Sequence, residues 1–192
     1  NYSLTFIEGV FTVTVRDIAV TADDNGKTYG EADPALTYQI TSGSLVGSDA
    51  FTGAIAREAG EDVGIYDIQQ GTLTLGGNYS LTFIEGVFTV TVRDIEVTAD
   101  DNGKTYGEAD PALTYQITSG SLVGSDAFTG SISREAGDDA GAYAIQQSTL
   151  ALSSNYSLTF LDGTFTISAR DIEVTADDNG KTYGNSDPAL TY

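Results

Sequence analysis

Asn78-Tyr79-Ser80-Leu81-Thr82-Phe83-Ile84-Glu85-Gly86-Val87-Phe88-Thr89-Val90-Thr91-Val92 alternates apolar and polar residues on both sides of a Glu-Gly pair. Tyr79, Leu81 and Phe83 share one face, and Phe88, Val90 and Val92 share one face of the following run. A period of two with Thr and Ser outside is the pattern of half-buried strands. In a second version the pair becomes Asp162-Gly163, between Leu161 and Thr164. Asp-Gly between alternating runs predicts a two-residue hairpin with both turn residues at positive φ. Working outward, Ile18 with Val20, Leu36 with Tyr38 and Ile40, Tyr66 with Ile68, and Leu73 with Leu75 keep the same period, so each segment reads as a strand. Ser44–Phe51 is the one helix candidate, with Leu45, Val46 and Phe51 spaced for about two turns and Ser44 as a cap; a loop with buried apolar residues is the alternative.

The same string sets the organisation. NYSLTF begins at Asn1, Asn78 and Asn155, and TADDNGKTYG begins at Thr21, Thr98 and Thr175. Both recur every 77 residues, and self-similarity at a fixed period marks a repeat architecture. Residues 16–92 and 93–169 agree at 60 of 77 positions, with no change between Val20 and Gly53. The domains expected are therefore 1–15, the C-terminal hairpin of a preceding repeat; 16–92 and 93–169, two complete repeats; and 170–192, the N-terminal part of a following one. The 192 residues then read as a segment of a longer array. Thr91-Val92-Arg93-Asp94-Ile95 leads from strand to strand with no flexible linker, which predicts a stiff connection. The expected core of one repeat is Ile18, Val20, Leu36, Tyr38, Ile40, Phe51, Ile55, Tyr66, Ile68, Leu73, Leu75, Tyr79, Leu81, Phe83, Phe88 and Val90. A domain this small is marginal without disulfides, so neighbouring copies or bound ions are expected to help.

Composition narrows the function. Twenty-eight acidic residues stand against eight basic ones, a net charge of −20. Eight scattered cations do not make a basic patch, which argues against nucleic acid as a partner. No apolar run approaches the ~18 residues of a membrane span. The chain has no Cys and no His. Disulfides, thiolate zinc sites and Ser–His or Cys–His chemistry are thereby excluded, and no catalytic residue is assigned. Each complete repeat carries eleven acids and three bases, and such like-charged neighbours favour an extended, soluble array.

Four features merit a functional reading beside a structural one. Asp23–Pro34 and its copy at 100–111 each place four carboxylates within eleven residues, and 177–188 repeats the block with Asn185-Ser186 in place of Glu-Ala. Oxygen-rich loops suit calcium, yet Asn-Gly and Asp-Pro are also turn formers with a solvated acidic rim; the turn is the favoured reading, and calcium is the only cofactor considered. Tyr29-Gly30 is expected to pack over a backbone that needs positive φ, with a sugar-stacking platform as the alternative. Asn78-Tyr79-Ser80 and its copies at Asn1 and Asn155 fit the N-glycosylation sequon, and equally a strand start with Tyr79 buried. Lys27, Lys104 and Lys181, one per copy, are expected to be exposed; the alternative is a buried Lys joined by an isopeptide bond to Asn or Asp.

The run Lys27-Thr28-Tyr29-Gly30-Glu31-Ala32-Asp33-Pro34-Ala35-Leu36-Thr37-Tyr38 resembles the signature of the MBG domain of the YGX type. Phe51-Thr52-Gly53, Gly64-Ile65-Tyr66-Asp67-Ile68, Asn78-Tyr79-Ser80-Leu81 and Phe88-Thr89-Val90 agree with it. The resemblance implies a mainly β, β-grasp-like domain with at most one short helix, found in tandem in large bacterial adhesins of the filamentous-haemagglutinin-like kind. Ig-like β-sandwich repeats are the alternative fold. It carries over no catalytic or binding residue. Two functions follow as expectations. The first is a structural repeat, a stalk, spacer or filament-forming segment of a secreted surface adhesin, whose partners are neighbouring repeats or lateral copies of itself. The second is a multivalent module for host or environmental glycans or mucin.

Overall fold

A computed structural model describes residues 1–192; it is all-β, with no helix. Contacts divide it into two compact units. The first comprises Asn1–Ile95, Gly120–Ala127 and Leu152–Leu158; the second comprises Glu96–Ser119, Phe128–Ala151 and Thr159–Tyr192. The boundaries do not follow the 77-residue period: three segments of the second repeat, 93–95, 120–127 and 152–158, belong to the first unit.

Residues 16–92 form seven strands: β1 (Arg16–Ala22), β2 (Asn25–Thr28), β3 (Tyr38–Ser42), β4 (Ala56–Arg57), β5 (Gly64–Gln69), β6 (Tyr79–Ile84) and β7 (Gly86–Thr91). They make two sheets, in the orders β3-β1-β6 and β2-β7-β5-β4. β1 and β6 are parallel, with Arg16 opposite Tyr79 and Thr21 opposite Ile84. β2 and β7 are parallel too, with Asn25 opposite Phe88 and Thr28 opposite Thr91. The offset is the same in both sheets. Two adjacent chain segments, 16–28 and 79–91, therefore run side by side through one sheet, turn a corner together and continue in the other. The result is a half-barrel-like β domain.

This overturns the hairpin expected at Glu85-Gly86 and Asp162-Gly163. β6 and β7 lie in different sheets, and both edges of β7 are taken, by β2 and β5. None of the four residues of these two pairs has positive φ, so the two-residue turn does not form. Gly86 is needed for close approach instead: a Cβ there would lie 2.9 Å from the Ala22 carbonyl oxygen. The corner is stapled by the Val87 N–H, which donates to Asp24 Oδ1 at 2.8 Å. The second repeat repeats both features, with Gly163 against Ala99 and the Thr164 N–H donating to Asp101 Oδ1 at 2.7 Å.

Alternation decides what is buried. Ile18, Val20 and Ala22 point inward along β1, and Gly86, Phe88 and Val90 along β7. One cluster gathers Ile18, Val20 and Leu73 with Tyr38, Leu45, Phe51, Tyr79 and Leu81 around them. The other gathers Ala22, Ile68, Phe88 and Val90 with Tyr29, Leu36 and Tyr66. Ile55 and Phe83 touch both. Full burial of such a side chain contributes about 1.5–3 kcal/mol. Ile40 departs from the expected core, at 41 % exposure. It lies on the edge strand β3, where the pairing with β1 shifts register between Ala19 and Val20.

Ser44–Phe51 is a loop. Gly43 and Gly47 take positive φ of 81° and 59°, which breaks a helical path, and the Asp49 N–H closes a turn on the Val46 carbonyl at 3.0 Å. Leu45 and Phe51 still reach the core, the buried-loop alternative.

The second repeat has the same order: β8 (Arg93–Ala99), β9 (Asn102–Thr105), β10 (Tyr115–Ser119), β11 (Ser133–Arg134), β12 (Gly141–Gln146), β13 (Tyr156–Leu161) and β14 (Gly163–Ser168). Its sheets are β10-β8-β13 and β11-β12-β14-β9. Ala99, Ile145, Phe165 and Ile167 form a core cluster, with Leu113, Ile132, Tyr143 and Phe160 against it. Residues 1–15 and 170–192 contain no strand. Residues 1–15 match 78–92 residue for residue; in 79–91 the ladders are made with β1, β2 and β5 of the same repeat.

Candidate functional site

The polar block Asp23–Pro34 does not act as one site. Asp23 accepts from the Thr37 hydroxyl at 2.7 Å and from Gln39 at 3.1 Å. Asp24 caps the corner, and Glu31 accepts from the Thr28 N–H at 3.2 Å. Asp33 turns inward to Lys27 and Arg57. Each carboxylate thus meets a different protein donor, and no three acidic side chains gather in a group able to hold a metal. Ca²⁺ takes 6–8 oxygens at one point, a convergence this loop does not present.

Lys27 corrects an expectation: it is buried, not exposed. Its position on β2, between polar turn residues in sequence, faces it into the sheet beside β7. Nζ pairs with Asp33 Oδ1 at 2.7 Å and with Glu61. Arg57 completes the cluster, reaching Asp33 at 2.5 Å and Glu61 at 2.6 Å. The Arg57 guanidinium also donates to the Gly60 carbonyl and stands 4.9 Å from the Phe88 ring centre, a cation–π geometry. Arg57 and then Lys27 hold the Asp33 carboxyl down, to a pKa of about 2. Asp33 and Glu61 raise the Lys27 ammonium in turn. An ionised carboxylate is a poor electrophile, so this geometry favours an ion pair over an isopeptide bond. In the second repeat Lys104 is half-buried and Asp110 is likewise held near 2 by Arg134 and Lys104. Asp138 replaces Glu61 there and reaches less well, at 3.6 Å from Lys104 and 3.4 Å from Arg134. Lys181 is exposed and pairs with Asp187.

A second cluster lies within the first compact unit and joins residues far apart in sequence. Tyr29 follows β2, and the Gly30 φ of 82° turns the chain there. The Tyr29 hydroxyl donates to Asp126 Oδ2 at 3.1 Å, and its ring meets Tyr156 edge-on with centres 5.5 Å apart. The Tyr29 carbonyl accepts from Arg93 Nη1 at 3.0 Å. Gly30 lies so close to Val123 that a Cβ would come within 2.3 Å of it. Beside this contact Asn155 makes a two-way bridge. Its Nδ2 donates to Asp62 Oδ1 at 2.8 Å, and its Oδ1 accepts the Val63 N–H at 2.9 Å. Tyr156 donates to Asp126 at 2.6 Å and accepts the Val123 N–H at 2.8 Å. The Asp126 carboxylate raises the Tyr29 phenol pKa; burial, then Asp126, raises that of Tyr156.

Tyr29-Gly30 was readable in the sequence as a packing position, and it packs. The sequon at Asn155 is a buried structural amide, while the same sequon at Asn78 is exposed. Asp62, Asp126 and Arg57 carried no signal that separated them from the other charges. The scarcity of cations was the one available hint: where only three bases serve a repeat, each is a candidate for a buried partner. Every group in both clusters is engaged with another part of the chain, so both are recognition geometries.

No curated protein matches the chain, and no solved structure does. The model of the MBG domain (YGX type) matches residues 18–89 and again 95–166, spans that contain the Tyr-Gly turns and the Lys-Asp-Arg clusters just described. The chain therefore belongs to the MBG domain family of the YGX type, of which it carries two tandem copies.

Proposed function

We propose that the chain is a non-catalytic spacer, a stalk or filament-forming segment of a secreted bacterial surface adhesin or extracellular fibre. The observation that carries this reading is the use made of the invariant residues. Tyr29, Gly30 and Asp62 recur unchanged in the second repeat, and Val123, Asp126, Asn155 and Tyr156 recur unchanged in the first. In the first unit all seven are engaged in joining segments of successive repeats. A protein whose work depends on the number and connection of its copies would keep such residues constant. The acidic surface supports solubility outside the cell and discourages lateral collapse.

Gold-labelled antibody against the chain, applied to intact cells of the organism that makes it, tests the reading. Labelling on surface appendages is the expected result; labelling only after permeabilisation would overturn it. Saturable, sugar-specific binding of the full chain on a glycan array would replace the spacer with the glycan-binding module.

A further inference from the structure

We infer that the first repeat carries an open binding site for a Tyr-Gly turn of another copy of this repeat, joined ahead of it in series. The site is built from Arg16, Val46, Asp49, Asn78 and Tyr79. The filled version of the same site shows what it binds. In the first unit the counterparts Arg93, Val123, Asp126, Asn155 and Tyr156 receive Tyr29, Gly30, Asp62 and the Val63 N–H.

Three observations support the assignment. First, the open site has the same internal geometry as the filled one. Tyr79 donates to Asp49 at 2.6 Å and accepts the Val46 N–H at 2.9 Å, as Tyr156 does with Asp126 and Val123 at 2.6 and 2.8 Å. It is preorganised, which lowers the cost of binding. Second, the groups that face a partner in the filled version are bare in the open one. Asn78 and Asp49 are exposed and Val46 is 53 % exposed, and a cavity of about 280 Å³ opens against Arg16, Val46, Asp49, Asn78 and Tyr79. Third, the arginine is poised. Arg93 holds Ser121 through Nε and Nη2, leaving Nη1 for the Tyr29 carbonyl. Arg16 holds the matching Ser44 through Nη1 alone, which leaves Nε and Nη2 as donors for an incoming carbonyl.

The ligand chemistry follows. The turn must offer a phenol to the Asp49 carboxylate and a carbonyl to Arg16. It needs glycine where Val46 approaches, and an acidic side chain followed by a free N–H to satisfy both ends of the Asn78 amide. A single aromatic sugar platform would use the ring faces and would leave the Asn78 bridge without a partner.

This deepens the spacer reading and rests on copies being joined in series. Its test, however, reads binding alone. The full chain is extended by placing a copy of residues 16–77 before Asn1, which completes a repeat in the natural phase. Side-chain amide exchange of Asn78 is then followed by NMR in the original and extended chains. The site as assigned slows Asn78 exchange at least about tenfold, to the rate of Asn155. Asp→Ala at the added copy's counterpart of Asp62 removes the acceptor of the Asn78 amide and returns its exchange to the rate of the original chain. Unchanged Asn78 exchange, or an added copy that fails to fold although the identical first repeat folds, overturns the assignment. Failure here would leave surface labelling intact, and failure of surface labelling would leave this binding intact.

Discussion

Asn78-Tyr79 and Asn155-Tyr156 sit at the same place in two copies and are followed by the same four residues, Ser-Leu-Thr-Phe. Asn155 and Tyr156 are each only 8 % exposed, whereas Asn78 is exposed and Tyr79 half-buried. On the opposing side Tyr29 is half-buried and makes a hydrogen bond through its hydroxyl, whereas Tyr106 is 50 % exposed. Local sequence is held constant in each pair, so the difference is due to what covers them. The internal hydrogen bonds of the Tyr–Asp–Val triplet hardly change between the pairs. The socket is thus a property of one repeat, and its filling is a property of two.

Substitutions at matched positions can break this comparison. The largest effect is expected from Gly30→Ala set against Gly107→Ala. Both glycines have positive φ, 82° and 87°, so both variants bear a left-handed strain of about 1 kcal/mol. Only at position 30 does the new Cβ meet Val123, a stiff β-branched side chain; at 107 the nearest atom is the mobile tip of Arg170 at 3.4 Å. Overpacking adds about 1–3 kcal/mol. Urea unfolding should therefore show Gly30→Ala the more damaging by that margin, and equal losses would break the comparison.

Asn155→Ala against Asn78→Ala comes next. The first strips a buried bridge and leaves the Val63 N–H without its acceptor, a loss of about 1–3 kcal/mol. The second touches an exposed side chain and should fall within about 0.5 kcal/mol of the parent. Tyr29→Phe removes one hydrogen bond, worth about 0.5–1.5 kcal/mol, while Tyr106→Phe should be close to neutral. Calorimetric melting of the four chains decides both pairs.

Acid sharpens the comparison in a different region. Asp33 and Asp110 are both held near 2, below an unfolded carboxylate value of about 4. A depressed folded pKa contributes stability that is present above the unfolded value and lost as pH falls toward the folded one. Both repeats should therefore weaken between about pH 4 and pH 2. Glu61→Asp gives the first repeat the shorter acid of the second. It should weaken the first repeat slightly above about pH 4, where this carboxylate is ionised, and the difference should fade as pH falls through the window, the smallest effect of the series. An unchanged acid titration would show that the Glu61 contacts to Lys27 and Arg57 contribute nothing.

Much of the fold was legible because strand alternation is a local property. β1, β5, β6 and β7 lie where period two places them, and fifteen of the sixteen expected core residues pack in the two clusters. The hairpin at Glu85-Gly86 was misread because turn composition does not say which edges of a strand are already occupied. β7 is paired on both sides by strands distant in sequence, and the glycine serves a close approach to Ala22. Lys27 was misread because its neighbours are turn residues, whereas Glu61, which with Asp33 pairs its ammonium, and Arg57, which shares both carboxylates, are about thirty positions away. The Tyr29 cluster could be half seen. The Tyr-Gly pair announced packing, but its partners lie in the next repeat, beyond any local pattern.

The most direct test compares one backbone N–H in the two repeats. The Val63 N–H donates to Asn155 Oδ1, while Ala140, at the same position of the second repeat, is exposed. Residue-resolved hydrogen exchange on the full chain should find Val63 slower than Ala140 by at least about tenfold, with the difference lost in Asn155→Ala. Equal exchange at Val63 and Ala140 in the parent chain would contradict the account.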